Sequence, residues 1–193
     1  MSTICLTGDV HHMSLKPRHQ QMEDGRVSEV DCLATYLEIV LRHGLKVTVF
    51  VTGKVAEEET DRLRSLIDSG IELGGHTYSA FRPRILYGLA SRFLKLSNGP
   101  AWFQGRDIAR TVRAVRDRLG IRIRTWRNHA YRHDRNTNRL LHRHGIRIVS
   151  DEVRPRERLE PVLRDGVLEV PINTTVDHEN MAHSRQNARL LTS

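Results

Sequence analysis

Long apolar runs are missing from this 193-residue sequence. Without an uninterrupted stretch of about 18 apolar residues, no membrane span is expected. Met1-Ser2-Thr3 passes directly into strand-like sequence and lacks the basic, apolar and small-residue succession of a secretory leader. The chain is therefore expected to be cytoplasmic. Cysteine is scarce: Cys5 and Cys32 are the two in the chain. They fall in an expected strand and an expected helix, so two buried free thiols are expected and no disulfide. Lysine is scarce as well, limited to Lys16, Lys46, Lys54 and Lys95. The formal net charge of +8 is thus carried almost entirely by arginine, spread along the chain. No basic helix with interleaved aromatics, no zinc-finger spacing and no RNP-like strand accompanies it. No specific nucleic-acid partner is expected, and the same field would serve an anionic substrate. Also absent are a nucleophile elbow, a Cys–His pair and a phosphate loop; Gly74-Gly75 alone is too short for a dinucleotide fingerprint. No linker, internal repeat or low-complexity tract divides the chain, so residues 1–193 read as one domain.

What is present is alternation. Ile4 to Val10 reads as a buried strand. Ser28, with Asp31 three positions on, reads as a capping box opening a helix with Val30, Leu33, Leu37, Val40 and Leu41 inward and Gly44 as its stop. Leu45 to Val51 is a second strand. A helix from Glu57 to Ser69 follows, then a third strand from Ile71 to His76. Tyr78 to Phe103 is irregular, with a short helix expected within residues 85–96; its length suits a functional loop or lid, with Trp102 and Phe103 anchoring it. Ile108, Val112, Val115 and Leu119 mark a helix closed by Gly120, and Ile121 to Trp126 a fourth strand. A helix capped by Asp134, a fifth strand from Ile146 to Ser150 and a sixth from Val167 to Ile172 complete the series. Five or more strand–helix alternations imply a parallel α/β sheet or barrel with right-handed crossovers.

In such folds ligands sit beyond the carboxyl ends of the strands. Here those ends carry Asp9 and His11, Thr52, His76, Arg127 and His129, Asp151, and Asp177 with His178. One histidine at one strand end is an ordinary structural residue. Several in register on one rim make a site. The residue types suit metal-assisted hydrolysis. Neutral imidazoles hold a borderline cation such as zinc, a carboxylate such as Asp9 accepts a proton from water, and a protonated histidine serves a departing amine. His12 faces away from this rim if the strand continues.

In their order, Thr7-Gly8-Asp9-Val10-His11, Val47 to Gly53, Glu72-Leu73-Gly74-Gly75-His76-Thr77, Trp126-Arg127, Gly145-Ile146 to Ser150-Asp151 and Glu169-Val170-Pro171 resemble the NodB-homology polysaccharide deacetylases, carbohydrate esterase family 4. The resemblance spans residues 3–180. It implies a distorted, incomplete (β/α) barrel, a divalent metal ion, usually zinc, and removal of an acetyl or formyl group from an N-acylated sugar or related amide. It also implies that Asp9 is the catalytic base, that Arg127 steadies it, and that Asp151 partners Arg127. Where some branches place a metal carboxylate, this chain has His11. His76-Thr77 matches the start of a His-Ser/Thr-x-x-His motif whose second histidine is here Ala80. His129 stands where the family has proline. The closing Leu-x-His motif has no match, leaving His178 or His183 as substitutes for the general acid. Two outcomes are open: a rebuilt metal site of His11, His76 and His129, or a non-catalytic relative that binds a glycan or another partner.

Overall fold

The computed structural model describes residues 4–14, 28–80, 98–155, 157 and 160–174, together with Gly88 and Arg92. Most of the expected lid region, its short helix and the whole stretch from 175 onward, with Asp177, His178 and His183, lie outside the described residues.

The chain alternates as its pattern implies. β1 (Leu6–Val10) leads to α1 (Glu29–Arg42) and β2 (Val47–Val51). Two helices follow, α2 (Gly53–Glu58) and α3 (Thr60–Ile67), then β3 (Glu72–Gly75). α4 (Ala101–Leu119), β4 (Thr125–Trp126), a 3-10 turn (His129–Tyr131), α5 (Thr137–Arg143) and β5 (Ile148–Val149) come next. β6 (Val162–Arg164) and β7 (Val167–Glu169) close the described part. The seven strands form one open sheet in the order β1-β2-β3-β4-β5-β7-β6, parallel throughout except that β6 runs antiparallel to β7. It is an α/β fold with a parallel-dominated sheet.

The elements form for local reasons. Ser28 Oγ accepts from Val30 N at 3.0 Å, and Asp31 Oδ2 accepts from Ser28 N at 3.2 Å, so the α1 capping box is present. Helix α1 buries Val30, Leu33, Leu37 and Val40 against the sheet. Strand β2 lies between β1 and β3 and buries Val47, Val49, Phe50 and Val51. Trp126, Val115, Leu63, Leu141 and Val149 complete a continuous core, each side chain contributing about 1.5–3 kcal/mol by leaving water.

Several boundaries differ from expectation. The second helix begins at Gly53 rather than Glu57 and breaks at Glu59, whose backbone leaves the helical region at φ −130° and ψ 38°. Buried Glu59 accepts from Ser28 Oγ, a long-range tie that outweighs helical continuity there. Trp102 and Phe103 belong to the first turn of α4, and Trp102 is 70% exposed. The helix expected from Asp134 begins at Thr137; Asp134 Oδ1 accepts from Asn136 N at 2.9 Å in the preceding turn. The strands at 121–126, 146–150 and 167–172 are shorter than expected, and β6 was not foreseen. Both cysteines are free as expected but exposed: Cys5 precedes an edge strand, and Cys32 sits on the solvent face of α1. No helix among the described residues is long and apolar enough to cross a membrane.

Candidate metal centre and its neighbouring carboxylate

The C-terminal ends of β1, β3 and β4 converge because two glycines let them. An added Cβ at Gly74 would meet Phe50 Cδ1 at 2.5 Å, and one at Gly75 would meet Trp126 Cε3 and Cζ3 at 2.3 Å. The aromatic rings occupy the space that side chains on β3 would fill. Beyond that packing the backbones stay tied: His76 N donates to Val51 O and Arg127 N to Gly75 O, both at 2.9 Å. His76 is thereby set beside the residues that leave β4.

Three imidazoles meet there. His11 follows β1, His76 follows β3, and His129 opens the 3-10 turn after β4. One ligand-type nitrogen from each lies within 4.8 Å of the others. The rings stand edge to face, with centroids 5.0 Å apart for His11 and His76, 4.9 Å for His11 and His129, and 5.4 Å for His76 and His129. His11 Nε2 and His129 Nδ1 are 2.9 Å apart.

The backbone around them is strained. Thr77, Ala80, Ala130 and Tyr131 have φ of 63°, 51°, 55° and 55°. The left-handed region costs a non-glycine residue about 1–2 kcal/mol, and such positions gather where a site dictates the chain path.

The donor set fits a borderline divalent cation such as zinc. His76 Nδ1 lies 2.9 Å from the Arg127 carbonyl and so carries the proton, leaving a lone pair on Nε2. His11 Nδ1 lies 2.9 Å from Glu29 Oε2, which likewise leaves Nε2 as its lone-pair nitrogen. Histidine ligands in metal sites are held by a carboxylate or carbonyl on the far nitrogen in this manner. Burial keeps two of the rings neutral. The His76 pKa lies well below its usual 6.5, through burial first and then the charges of His11 and Arg127. His129 falls to about 3, through burial and then His76 and His11, with Asp9 opposing. Neutral imidazoles offer lone pairs rather than protons, as a metal requires.

Asp9 lies on the same rim. Arg127 Nη1 donates to Asp9 Oδ1 at 3.0 Å, while its Nε and Nη2 donate to Ser150 O and Ser150 Oγ, each at 3.1 Å. The guanidinium, 4.5 Å above the Phe50 ring, is buried. With one oxygen held, Asp9 Oδ2 remains for a proton.

Asp151 does not partner Arg127 as expected. Asp151 Oδ1 accepts from Asn128 N at 2.7 Å and Oδ2 from Asn128 Nδ2 at 2.6 Å, while the three donor positions of Arg127 go to Asp9 and Ser150. Asp151 is fully buried, and burial lifts its pKa to about 7 against the two Asn128 bonds that lower it. It thus grips the residue between Arg127 and His129. Asn128 Oδ1 in turn accepts from Trp126 Nε1 at 2.9 Å. Thr52 serves as the N-cap of α2 rather than joining the histidines. His12 turns away as expected, with Nδ1 3.1 Å from Thr52 Oγ1. His178 lies outside the described residues. Glu29 and Asn128 were missed by sequence reasoning. An acid in the first turn of a helix is accounted for by the helix dipole and signals nothing more.

A family model for polysaccharide deacetylases matches residues 21–149. This chain belongs to the polysaccharide deacetylase family. Family members are generally metal-dependent deacetylases that act on acetylated sugars. Solved structures share the fold at low identity. A Mycobacterium smegmatis protein named as a polysaccharide deacetylase aligns with a TM-score of 0.64 and 19% identity, over 88% of this chain and 58% of its own. A family 4 carbohydrate esterase from Streptomyces lividans, in complex with acetate, gives 0.53 and 17%, over 75% and 59%. A family 4 pseudoenzyme from Bacillus anthracis gives 0.55 and 12%, over 75% and 42%. The chain therefore spans less than two thirds of the length of each of these three. No curated protein matches it by sequence.

Proposed function

We propose that this protein is a metal-dependent amidohydrolase that removes an acetyl or formyl group from an N-acylated sugar or related small amide. The observation that carries the proposal is the convergence of three imidazole nitrogens within 4.8 Å on the rim that also holds the Asp9–Arg127 pair. His11, His76 and His129 would hold the cation, zinc by donor type, with His129 supplying what Ala80 does not. The bound ion supplies Lewis-acid polarisation of the acyl carbonyl and of water. Asp9 acts as the general base: Oδ1 is fixed by Arg127, and Oδ2 takes the proton from the attacking water. Arg127 holds the carboxylate in place and stabilises its charge. Asp151, through Asn128, fixes the segment from which Arg127 and His129 project. His178 is proposed to return a proton to the departing amine.

The test is acetate or formate release from N-acylated glucosamine oligomers by zinc-loaded protein, with Asp9→Asn as control. Zinc-dependent release that falls at least a hundredfold in Asp9→Asn supports the proposal; general-base catalysis contributes about 10²–10⁴-fold. A second reading draws on Ala80, which occupies the position of a family ligand. In it the chain is a non-catalytic relative that binds a glycan. In that reading the metal is lost, and saturable glycan binding without product release, in protein incubated with zinc, favours it.

A further inference from the structure

We infer that Glu29 is a positioning residue for His11, and that the two together move a metal site's negative charge one imidazole outward from the ligand position. The inference rests on the metal reading of the three histidines.

Glu29 Oε2 accepts twice from the same residue, from His11 N at 2.7 Å and from the ring at Nδ1, 2.9 Å away. The backbone contact fixes where the residue sits. The ring contact fixes the tautomer, with the proton on Nδ1 and the lone pair on Nε2, the nitrogen nearest His129. Neither residue is free to drift. Glu29 is the first residue of α1, held by the Ser28 capping box. Ser28 Oγ also donates to Glu59, the residue that opens α3, so the start of α1 is tied to a second helix. The hydrogen-bonded pair is largely shielded, with side chains 16% and 21% exposed, and the shielding strengthens its electrostatics relative to a surface pair.

The chemistry follows from the charge. A set of three neutral imidazoles brings no negative charge to a divalent cation. Relatives that carry a carboxylate at the position of His11 bring one directly. Here the carboxylate stands behind the imidazole, where hydrogen bonding to Nδ1 raises the basicity of Nε2 and offsets part of the cation's charge. The sequence signature is therefore paired: imidazole at residue 11 with an acid at the first position of the following helix.

The test is zinc affinity, measured by competition with a chromophoric chelator on EDTA-stripped full-length protein. Four proteins are compared: wild type, Glu29→Gln, His11→Asp and the double variant. Far-UV circular dichroism and the thermal midpoint of the metal-free proteins report folding separately. Glu29→Gln is expected to weaken zinc about 10–100-fold. Gln retains an acceptor of the same size, so this loss reads the missing charge rather than a missing contact. In the His11→Asp background the Glu29→Gln change is expected to alter affinity by less than about threefold, because no ring remains to be held. An unchanged affinity in Glu29→Gln, with wild type binding zinc, overturns the inference and leaves the metal site standing. An equal loss in both backgrounds overturns it too, since it shows a general charge effect. Wild type that takes up no zinc overturns the metal reading itself. Should Glu29→Gln not fold, Glu29→Asp, one methylene short on the same helix start, is expected to lose affinity in part, and no loss there counts against the inference.

Discussion

Arg127→Met isolates the electrostatic support of Asp9. In the wild type one buried guanidinium satisfies three acceptors: Asp9 Oδ1, Ser150 O and Ser150 Oγ. Removing one partner of a buried ion pair costs about 3–5 kcal/mol. The Asp9 side chain is 23% exposed, so water recovers part of that loss and the pair falls at the low end. The Ser150 carbonyl and hydroxyl lose donors as well, at about 1 kcal/mol each. Methionine keeps packing against Phe50 and limits the cavity. The expected cost is about 5 kcal/mol in the metal-free protein. Arg127→Lys keeps the charge but cannot reach all three acceptors from one ammonium, and about 2 kcal/mol is expected. In an Asp9→Asn background, Arg127→Met is expected to cost about 2 kcal/mol less than it does alone. Urea unfolding, followed by circular dichroism with the m-value checked for constancy, measures the wild type, the three single variants and the double variant. An Arg127→Met cost below about 1 kcal/mol, or additivity within about 0.5 kcal/mol, would refute the account of this pair.

Asp151→Asn replaces one of the two acceptors gripping Asn128 with a donor that faces Asn128 Nδ2; zinc affinity, read by chelator competition, is expected to fall about tenfold through a loosened His129. Gly75→Ala would place a methyl group 2.3 Å from the ring of fully buried Trp126, and a loss of about 3 kcal/mol is expected in urea unfolding. The metal-free protein should lose stability toward acid through His76. Its folded pKa is depressed below 6.5, so as the pH falls below that value the unfolded chain binds the extra proton and the folded chain does not. That contribution reaches at most about 1.4 kcal/mol per pH unit. His76→Gln is expected to show a flatter stability profile between pH 6.5 and about 4; an equal or steeper acid slope would contradict the burial argument.

The parts of the fold visible in the sequence were those with local causes. Ser28 and Asp31 make a capping box out of four consecutive residues, and α1 starts where they say. Short β-branched runs such as Val47–Val51 found their places in the sheet. The break at Glu59 was hidden, because its cause is a hydrogen bond to Ser28, thirty-one positions earlier. β6 did carry a signal: Asp165 and Gly166, with φ of 49° and 83°, form a tight turn between Val162–Arg164 and Val167–Glu169, and Asp-Gly is a strong hairpin pair. At the site, His11, His76, His129, Asp9 and Arg127 were legible as strand-end residues. The partners of Asp151 were not, because family order places it near Arg127 without saying which donor its carboxylate takes. Glu29 was not, because its role exists only once α1 packs beside the end of β1.

The metal content of the protein tests the central proposal most directly. Purified chain, stripped with EDTA and titrated with zinc, is expected to bind one ion per chain, and His76→Ala and His129→Ala are each expected to lose that binding while staying folded. A wild-type protein that takes up no zinc, or a His129→Ala variant that binds as tightly as wild type, would contradict it.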